Sequence, residues 1–158
     1  GLVRARASAV GTENSRMRYA LQHYSHVQVG LVRGKRGWRL GGATVLGERM
    51  ALEGTVTFAR TARLVLRLVA GEERNDYLFA ALSEARSALS KSSQGALPTI
   101  EIVCVARILF ALGYFSSEAL ETTLFAHAAY TERDLAEATA LREKLLTSIN
   151  RAISESHL

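Results

Sequence analysis

Apolar and polar residues alternate with a period of two in the first third of the chain, which is the pattern of half-buried β-strands. Residues 2–10 place small or apolar side chains on one face and basic or polar side chains on the other. Residues 23–33 alternate again, and Trp38 and Leu40 share a face of a further strand with Arg39 opposite. The pattern therefore predicts a small β-sheet in this part of the chain.

Glycine-bearing connections separate the predicted strands. The segment RGKRG at 33–37 joins two of them and predicts a hairpin turn. The segment GTENS at 11–15 has the composition of a loop. Gly41 and Gly42 are expected to end the last strand or to form a bulge in it, because glycine weakens the interior of a strand.

The rest of the chain carries apolar residues at helical spacing. Thr131 and Asp134 form a near capping box, Asn75 is an expected N-cap, and Pro98 suits a first helical turn. The predicted helices cover residues 49–70, 76–91, 98–113 and 132–155. The sequence thus predicts an α+β protein, with the boundary between its two halves near residues 43–48.

The composition indicates an ordered, globular chain and limits its chemistry. The 158 residues are 48% hydrophobic and include one proline, which suits one ordinary domain or two small ones. The most apolar stretch, at 100–112, is interrupted by Glu101 and Arg107, so we expect a buried helix there and not a membrane span. No signal peptide is recognisable at the start. Cys104 is the only cysteine, which excludes an internal disulfide and fits a reducing cytoplasm.

Positive charge is concentrated near the beginning of the chain. Residues 1–50 hold nine Lys or Arg against Glu13 and Glu48, a net charge of +7. The remaining residues hold eleven Lys or Arg against thirteen acids, a net charge of −2. A basic segment beside a nearly neutral one is the pattern expected of a polyanion-binding module attached to a scaffold.

The basic residues of the predicted sheet are expected to contact phosphates, since Lys and Arg beside a nucleic-acid backbone release condensed counterions. The alternative is an ordinary solvated arginine surface. Tyr19, Tyr24 and Trp38 could stack on bases, although the phase of Trp38 with Leu40 favours a core position. The candidate nucleic-acid-binding residues are Arg4, Arg6, Arg16, Arg18, Arg33, Lys35, Arg36 and Arg39.

Motifs for catalysis, nucleotide binding and metal binding are weak in this sequence. The segment GLVRGKR at 30–36 is one residue short of a P-loop and has Arg36 where that loop needs a hydroxyl. His23 and His26 are expected to point to opposite faces of a strand, which disfavours a metal site. Glu118, Glu121 and His127 could form a cluster around a short helix, which we interpret as a surface patch. No enzyme activity, cofactor or metal is therefore expected.

Two stretches carry a combination of motifs that is typical of one protein family. GLVRARA is followed by SRMRYALQHYSHVQVGLVRGKRGWRLGGA, which contains a basic strand, a Ser-basic loop, an LQ-aromatic-Ser stretch and a hairpin with Trp after the basic tip. EIVCVARILFALGYF at 101–115 resembles a helical segment of the same family. In order and spacing these motifs resemble those of RecO, a bacterial recombination and repair protein, over most of the chain.

The resemblance implies an OB-fold DNA-binding domain over 1–47 and an α-helical domain over 48–158. It implies a recombination mediator in DNA repair that binds single- and double-stranded DNA and anneals complementary strands. With RecR, such a protein helps RecA to replace single-strand-binding protein, without nucleotide hydrolysis. Its expected location is the cytoplasm, in association with the nucleoid.

The chain departs from the family pattern in three respects. About two further strands normally precede the position of Gly1, so the OB barrel would hold three of five strands, and the chain is expected to be a fragment unless another element closes the sheet. Glu13 stands in a loop that tends to be basic in relatives. Cys104 alone cannot form the four-cysteine zinc site of many relatives, which places the chain with the zinc-free members.

The helical half is expected to bind the acidic C-terminal tail of single-strand-binding protein. Arg60, Arg63 and Arg67 are spaced to lie on one helix face, where they would meet carboxylates beside an apolar pocket. In the alternative interpretation these arginines pair with the nearby acids Glu72, Glu73 or Glu84. Two other functions stay open: an RNA- or ribosome-binding OB protein, and a protein-interaction module whose basic sheet only maintains solubility.

Overall fold

The computed structural model describes residues 2–7, 17–47, 49–114 and 120–155. The chain divides into two compact units, Leu2–Arg49 and Met50–Leu158. The described part of the first unit contains a three-stranded mixed sheet, and that of the second contains five α-helices. The predicted α+β class is therefore confirmed.

The sheet has the strand order β1-β3-β2, with β1 parallel to β3 and β2 antiparallel to it. Its strands are β1 (Ala5–Arg6), β2 (Val27–Gly34) and β3 (Gly37–Val45). Of the strand predicted over 2–10, the structure describes residues 2–7, and within these only Ala5 and Arg6 are paired. Residues 8–10 lie outside the described residues. Alternation predicts which residues would share a face, but pairing requires a neighbouring strand in register.

A bulge interrupts the β2–β3 hairpin. Gly30 pairs with Gly42 and Leu31 pairs with Leu40, so Gly41 is the extra residue on β3. The predicted bulge is confirmed, whereas the alternative of a strand end is wrong because β3 continues to Val45. Bulges of this kind bend a strand and increase its twist.

The three described strands form an open sheet. Ala20, at 4% exposure, is the one buried residue among the described residues of this unit. Val29, Val32 and Val45 on the strands remain 40%, 62% and 51% exposed. The described strands therefore show no barrel closure.

The second unit is built around its central helix α3, which contacts each of the other four helices. The helices are α1 (Leu52–Leu68), α2 (Asp76–Lys91), α3 (Leu97–Ala111), α4 (Glu132–Ala140) and α5 (Arg142–Glu155), with a 3-10 turn at Gln94–Ala96. Pro98 lies in the first turn of α3, as predicted. The stretch Gln94–Ala111 is long and apolar enough to cross a membrane. This is weak evidence for a span, because the core helix of a helical bundle has the same composition.

The predicted helix caps are confirmed. The Oγ1 of Thr131 accepts a hydrogen bond from the Asp134 amide at 3.2 Å, and the Asp134 carboxylate accepts one from the Thr131 amide at 2.9 Å. The Asn75 side chain accepts a hydrogen bond from the Leu78 amide at 2.8 Å and donates one to the Ala111 carbonyl at 3.0 Å. Asn75 therefore caps α2 and also joins its start to the end of α3.

The helix predicted over 132–155 is two helices that meet at Leu141. The Leu141 amide is shared between the carbonyls of Glu137 and Thr139, and the Thr139 hydroxyl donates to the Leu135 carbonyl at 2.7 Å. Hydroxyl groups that bond back to the preceding turn bend helices. The apolar stripe continues across the break, so periodicity could not reveal it.

Candidate nucleic-acid interface

The tip of the β2–β3 hairpin presents two cations. Lys35 and Arg36 form the turn between Gly34 and Gly37, which pair with each other across the hairpin. Gly37 has a φ of 102° and is the one residue of this turn with positive φ. That is the pattern of a type I turn followed by a glycine bulge. The side chains of Lys35 and Arg36 are both exposed.

A cleft of about 380 Å³ lies beside this turn. Arg6 on β1 is the register partner of Arg39 on β3, so both side chains leave the same face of the sheet. The Cδ atom of Arg39 is 3.8 Å from the position that a Cβ atom on Gly34 would occupy. The Arg39 side chain therefore extends along the bare backbone of the hairpin. The lining residues are Arg6, Gly34, Lys35, Arg36, Gly37, Trp38 and Arg39.

The charge of the cleft is not balanced by acids within the described part of this unit. Residues 2–7 and 17–47 contain no Asp or Glu. Four exposed cations therefore share one small concave site, and a site of this kind concentrates anions. Since Lys and Arg gain affinity for nucleic acids by releasing counterions from phosphates, the arrangement suits a phosphate backbone.

Arg33 lies apart from the cleft cations. It is the register partner of Trp38, and Trp38 and Arg39 are adjacent on β3, so Arg33 and Arg39 leave opposite faces of the sheet. The guanidinium carbon of Arg33 is 5.3 Å from the centroid of the Trp38 ring, within the range of a cation–π contact. The period-two alternation of the sequence already puts Arg33 in phase with the apolar residues of its strand and Arg39 out of phase with those of the next strand. The predicted set of nucleic-acid-binding residues nevertheless included both arginines.

The other predicted basic residues lie outside the cleft. Arg4 and Arg18 are exposed, and the Arg18 carbonyl accepts a hydrogen bond from the Gln22 side chain at 2.8 Å. Arg16 lies outside the described residues. The structure thus gathers four of the eight candidates, Arg6, Lys35, Arg36 and Arg39, at one cleft.

The three aromatic candidates differ in exposure. Tyr19 is 72% exposed, so its ring is accessible to solvent. The ring of Tyr24 lies 6.3 Å from that of His23. Trp38 is partly buried and contacts Arg33. The expected core position of Trp38 is therefore only partly realised, because the open sheet has almost no interior.

Arg60 on α1 forms an ion pair with Glu101 on α3. Its Nε and NH2 groups donate to the two Glu101 carboxylate oxygens at 2.6 and 2.7 Å, and the hydrogen bond raises the pKa of Arg60. The partner is thus none of the three acids considered from the sequence. Arg63 and Arg67 are exposed. That Arg63 and Arg67 bind an acidic tail stays a prediction. Arg60 was part of the same prediction, but its guanidinium is already paired with Glu101.

The predicted surface patch of acids and histidine has a different arrangement. His127 lies 3.8 Å from Asp134, measured from Nε2 to Oδ1. Glu121 is exposed, and Glu118 lies outside the described residues. Within residues 2–7, 17–47, 49–114 and 120–155, no three His, Cys, Asp or Glu side chains are placed to hold a metal ion.

Arg107 is fully buried and has a role that the sequence pattern did not predict. Its guanidinium donates to the carbonyls of Leu124, Ala128 and Ala129 at 2.9, 2.7 and 2.8 Å. The available signal was a lone arginine within an apolar helix. Cys104 is fully buried, as predicted, and burial raises the pKa of its thiol to about 11.

No protein-family model, curated protein or solved structure matches this chain. The fold and the site by themselves define a class: an α+β protein with an open, basic sheet unit and a helical unit packed around α3.

Proposed function

We propose that the sheet unit binds the phosphate backbone of nucleic acids, and that the chain is a non-catalytic DNA-binding mediator similar to RecO. The observation that carries the first part is the cleft lined by Arg6, Lys35, Arg36 and Arg39. No carboxylate among residues 2–7 and 17–47 competes with a phosphate there. Cations arranged along a backbone give affinity without reading the base sequence.

The proposal assigns the three strands to an OB-fold. In that fold a curved sheet and its loops bind single strands, with cations along the backbone and aromatic rings beneath the bases. The bulge at Gly41 and the basic hairpin tip support the assignment. The exposed ring of Tyr19 is the candidate for stacking.

The wider role rests on the sequence resemblance alone. In this role the protein binds single- and double-stranded DNA and anneals complementary strands. Together with RecR it helps RecA to replace single-strand-binding protein on DNA. Within the same role, Arg63 and Arg67 are exposed cations on α1 that would meet the acidic tail of single-strand-binding protein, whereas Arg60 is paired with Glu101. Titrating a labelled tail peptide against Arg63→Ala and Arg67→Ala tests this contact. Equal affinity for wild type and both variants contradicts it.

Salt dependence of DNA binding tests the primary proposal. Fluorescence anisotropy of a labelled single strand should show log affinity falling with log salt, with a slope of about −0.7 for each phosphate neutralised. The double variant Lys35→Ala/Arg36→Ala should bind more weakly and with a shallower slope. The matched control is Arg142→Ala/Lys144→Ala, which removes the same charge from exposed positions on α5.

A slope near zero for the wild-type protein would contradict phosphate binding, and equal losses in the two double variants would contradict the hairpin as its site. RNA of the same sequence separates the DNA-binding proposal from an RNA-binding protein. Stronger binding to RNA would indicate contacts to the 2′-hydroxyl groups and would overturn the assignment to DNA repair.

A further inference from the structure

The cation density of the cleft is higher than one backbone phosphate requires. Each internal phosphodiester carries one negative charge, whereas four cations line the cleft. A terminal phosphomonoester carries a charge of about −1.5 to −2 at neutral pH and has three strong acceptor oxygens. Of the groups that a nucleic-acid strand offers, its phosphorylated end therefore matches this charge best.

The positions of the two strand arginines allow them to bind the same phosphate. Arg6 and Arg39 are register partners on adjacent strands, and neighbouring strands lie about 4.8 Å apart. Guanidinium groups bind phosphate oxygens in pairs of parallel hydrogen bonds. Two such groups side by side suit a phosphate with three free oxygens better than a diester with two.

The size of the cleft also limits its ligand. Its volume of about 380 Å³ is near the lower end of the roughly 300–1,000 Å³ found for small-molecule sites. That space admits a phosphate with its sugar, and not a run of nucleotides. A Cβ atom on Gly37 would meet nothing within 4 Å, so a phosphate can approach the backbone of the turn closely at this residue.

From these observations we propose that the cleft binds the terminal phosphate of a nucleic-acid strand. The proposal rests on the phosphate-binding function proposed above and makes it more specific. The internal phosphates of the same strand would then contact basic residues outside the cleft, such as Arg4 and Arg18, without recognition of an end.

The test compares two labelled single strands that carry equal numbers of phosphates. One ends in a phosphate, and the other is one nucleotide longer and ends in a hydroxyl; both are titrated against the full chain by fluorescence anisotropy. We expect the phosphorylated strand to bind about fivefold more tightly, the effect of one extra unit charge about 4 Å from a cation in water. Parallel pairs with the phosphate at the 5′ or the 3′ end show which end is bound.

The pH dependence of this preference provides an independent readout. The second ionisation of a phosphomonoester lies near pH 6, so the preference should shrink toward about pH 5, where the group carries a single charge. The residues that line the cleft are Arg, Lys, Gly and Trp, with no His, Asp or Glu among them. His23 and His26 belong to the same unit, but a change in the protein itself acts on both strands, so the ratio of the two affinities isolates the terminal phosphate.

Variants locate the preference. Arg6→Gln and Arg39→Gln should each reduce the fivefold ratio toward one, while Arg18→Gln, outside the cleft, should weaken both strands equally and preserve the ratio. Retention of the ratio in both cleft variants, when circular dichroism shows them folded, overturns the proposal. If a cleft variant is unfolded, the proposal is tested by the wild-type protein alone, through its ratio of affinities for the two strands and the loss of that ratio in acid.

The remaining outcomes separate the two proposals. Equal affinity for both strands overturns end recognition and leaves backbone binding intact, whereas absence of binding to either strand overturns both. Free nucleoside monophosphate should compete poorly, because it lacks the rest of the strand. Displacement of the strand by equimolar nucleoside monophosphate would mean that the ligand is a small phosphomonoester, and it overturns the assignment to strand ends.

Discussion

The guanidinium carbon of Arg107 lies 4.6 Å from the centroid of the Tyr130 ring in the interior of the helical unit. The same guanidinium donates hydrogen bonds to three backbone carbonyls of the segment that precedes α4. This segment follows a non-helical path, so its carbonyls need partners from elsewhere. Arg107 supplies them and joins the segment to α3.

Replacement of Arg107 by methionine should therefore be strongly destabilising. The variant leaves the carbonyls of Leu124, Ala128 and Ala129 without this donor. The bond to Leu124 is buried and the other two are partly buried, and an unsatisfied buried group costs about 1–3 kcal/mol. We expect a loss of about 3 kcal/mol or more, measured by urea denaturation followed by far-ultraviolet circular dichroism. Arg60→Met is the control, because its exposed pair with Glu101 is worth at most about 1 kcal/mol. Equal losses in the two variants would contradict this role of Arg107.

Gly54 allows α1 and α2 to approach closely. A Cβ atom at this position would lie 2.8 Å from the Leu89 carbonyl oxygen, closer than real Cβ contacts. Gly54→Ala must push the two helices apart and should cost about 1–3 kcal/mol, as overpacking generally does. Gly95→Ala is the matched control, since its Cβ atom would meet nothing within 4 Å. A Gly54→Ala variant as stable as Gly95→Ala in thermal unfolding would exclude a close helix contact at residue 54.

Asp134 should contribute stability that is lost in acid. Burial by itself raises its pKa, but hydrogen bonds from the side chain and backbone of Thr131 outweigh burial and hold the pKa below its ordinary value of 3.8. Because the folded pKa is the lower one, the contribution is complete above the unfolded pKa and disappears as pH falls through the folded pKa. Asp134→Asn should lose about 1 kcal/mol near neutral pH, a typical effect of capping residues.

The measurement for Asp134 is the free energy of unfolding from neutral pH into acid. The difference between wild type and Asp134→Asn should shrink below the ordinary pKa of an aspartate. Glu132→Gln, an exposed change in the same helical turn, should follow the wild-type curve. A difference that is constant at every pH would show that the carboxylate charge of Asp134 is not involved.

Gly37 should be required for the basic hairpin. Its φ of 102° disfavours any residue with a Cβ atom, although a Cβ atom would meet nothing within 4 Å. The cost of Gly37→Ala is therefore conformational, about 1–2 kcal/mol. Trp38, the only tryptophan, is adjacent, so its fluorescence during urea denaturation reports on this unit. Gly42→Ala, which combines open space with an ordinary φ, should unfold at higher urea concentration than Gly37→Ala; the reverse order would contradict the turn geometry.

The sequence by itself determined the local features of this protein. Period-two alternation and RGKRG predicted the β2–β3 hairpin, and helical spacing with Asn75, Thr131 and Asp134 predicted helices that begin where the structure has them. The charge count placed the excess of cations in the first 50 residues. These features depend on residues within a few positions of one another, so their physical causes are all present in a short stretch of chain.

The tertiary structure alone decided which of these residues meet. Arg6 lies beside Arg39 because β1 pairs with β3, a contact between distant segments that no local pattern specifies. Arg60 pairs with Glu101 because α1 packs on α3, although other acids lie nearer to Arg60 in the sequence. Arg107 is buried in spite of its charge because a segment far along the chain brings carbonyls to it. Periodicity assigns a residue to a face, but the energy of a buried or clustered charge depends on the groups that other segments place around it.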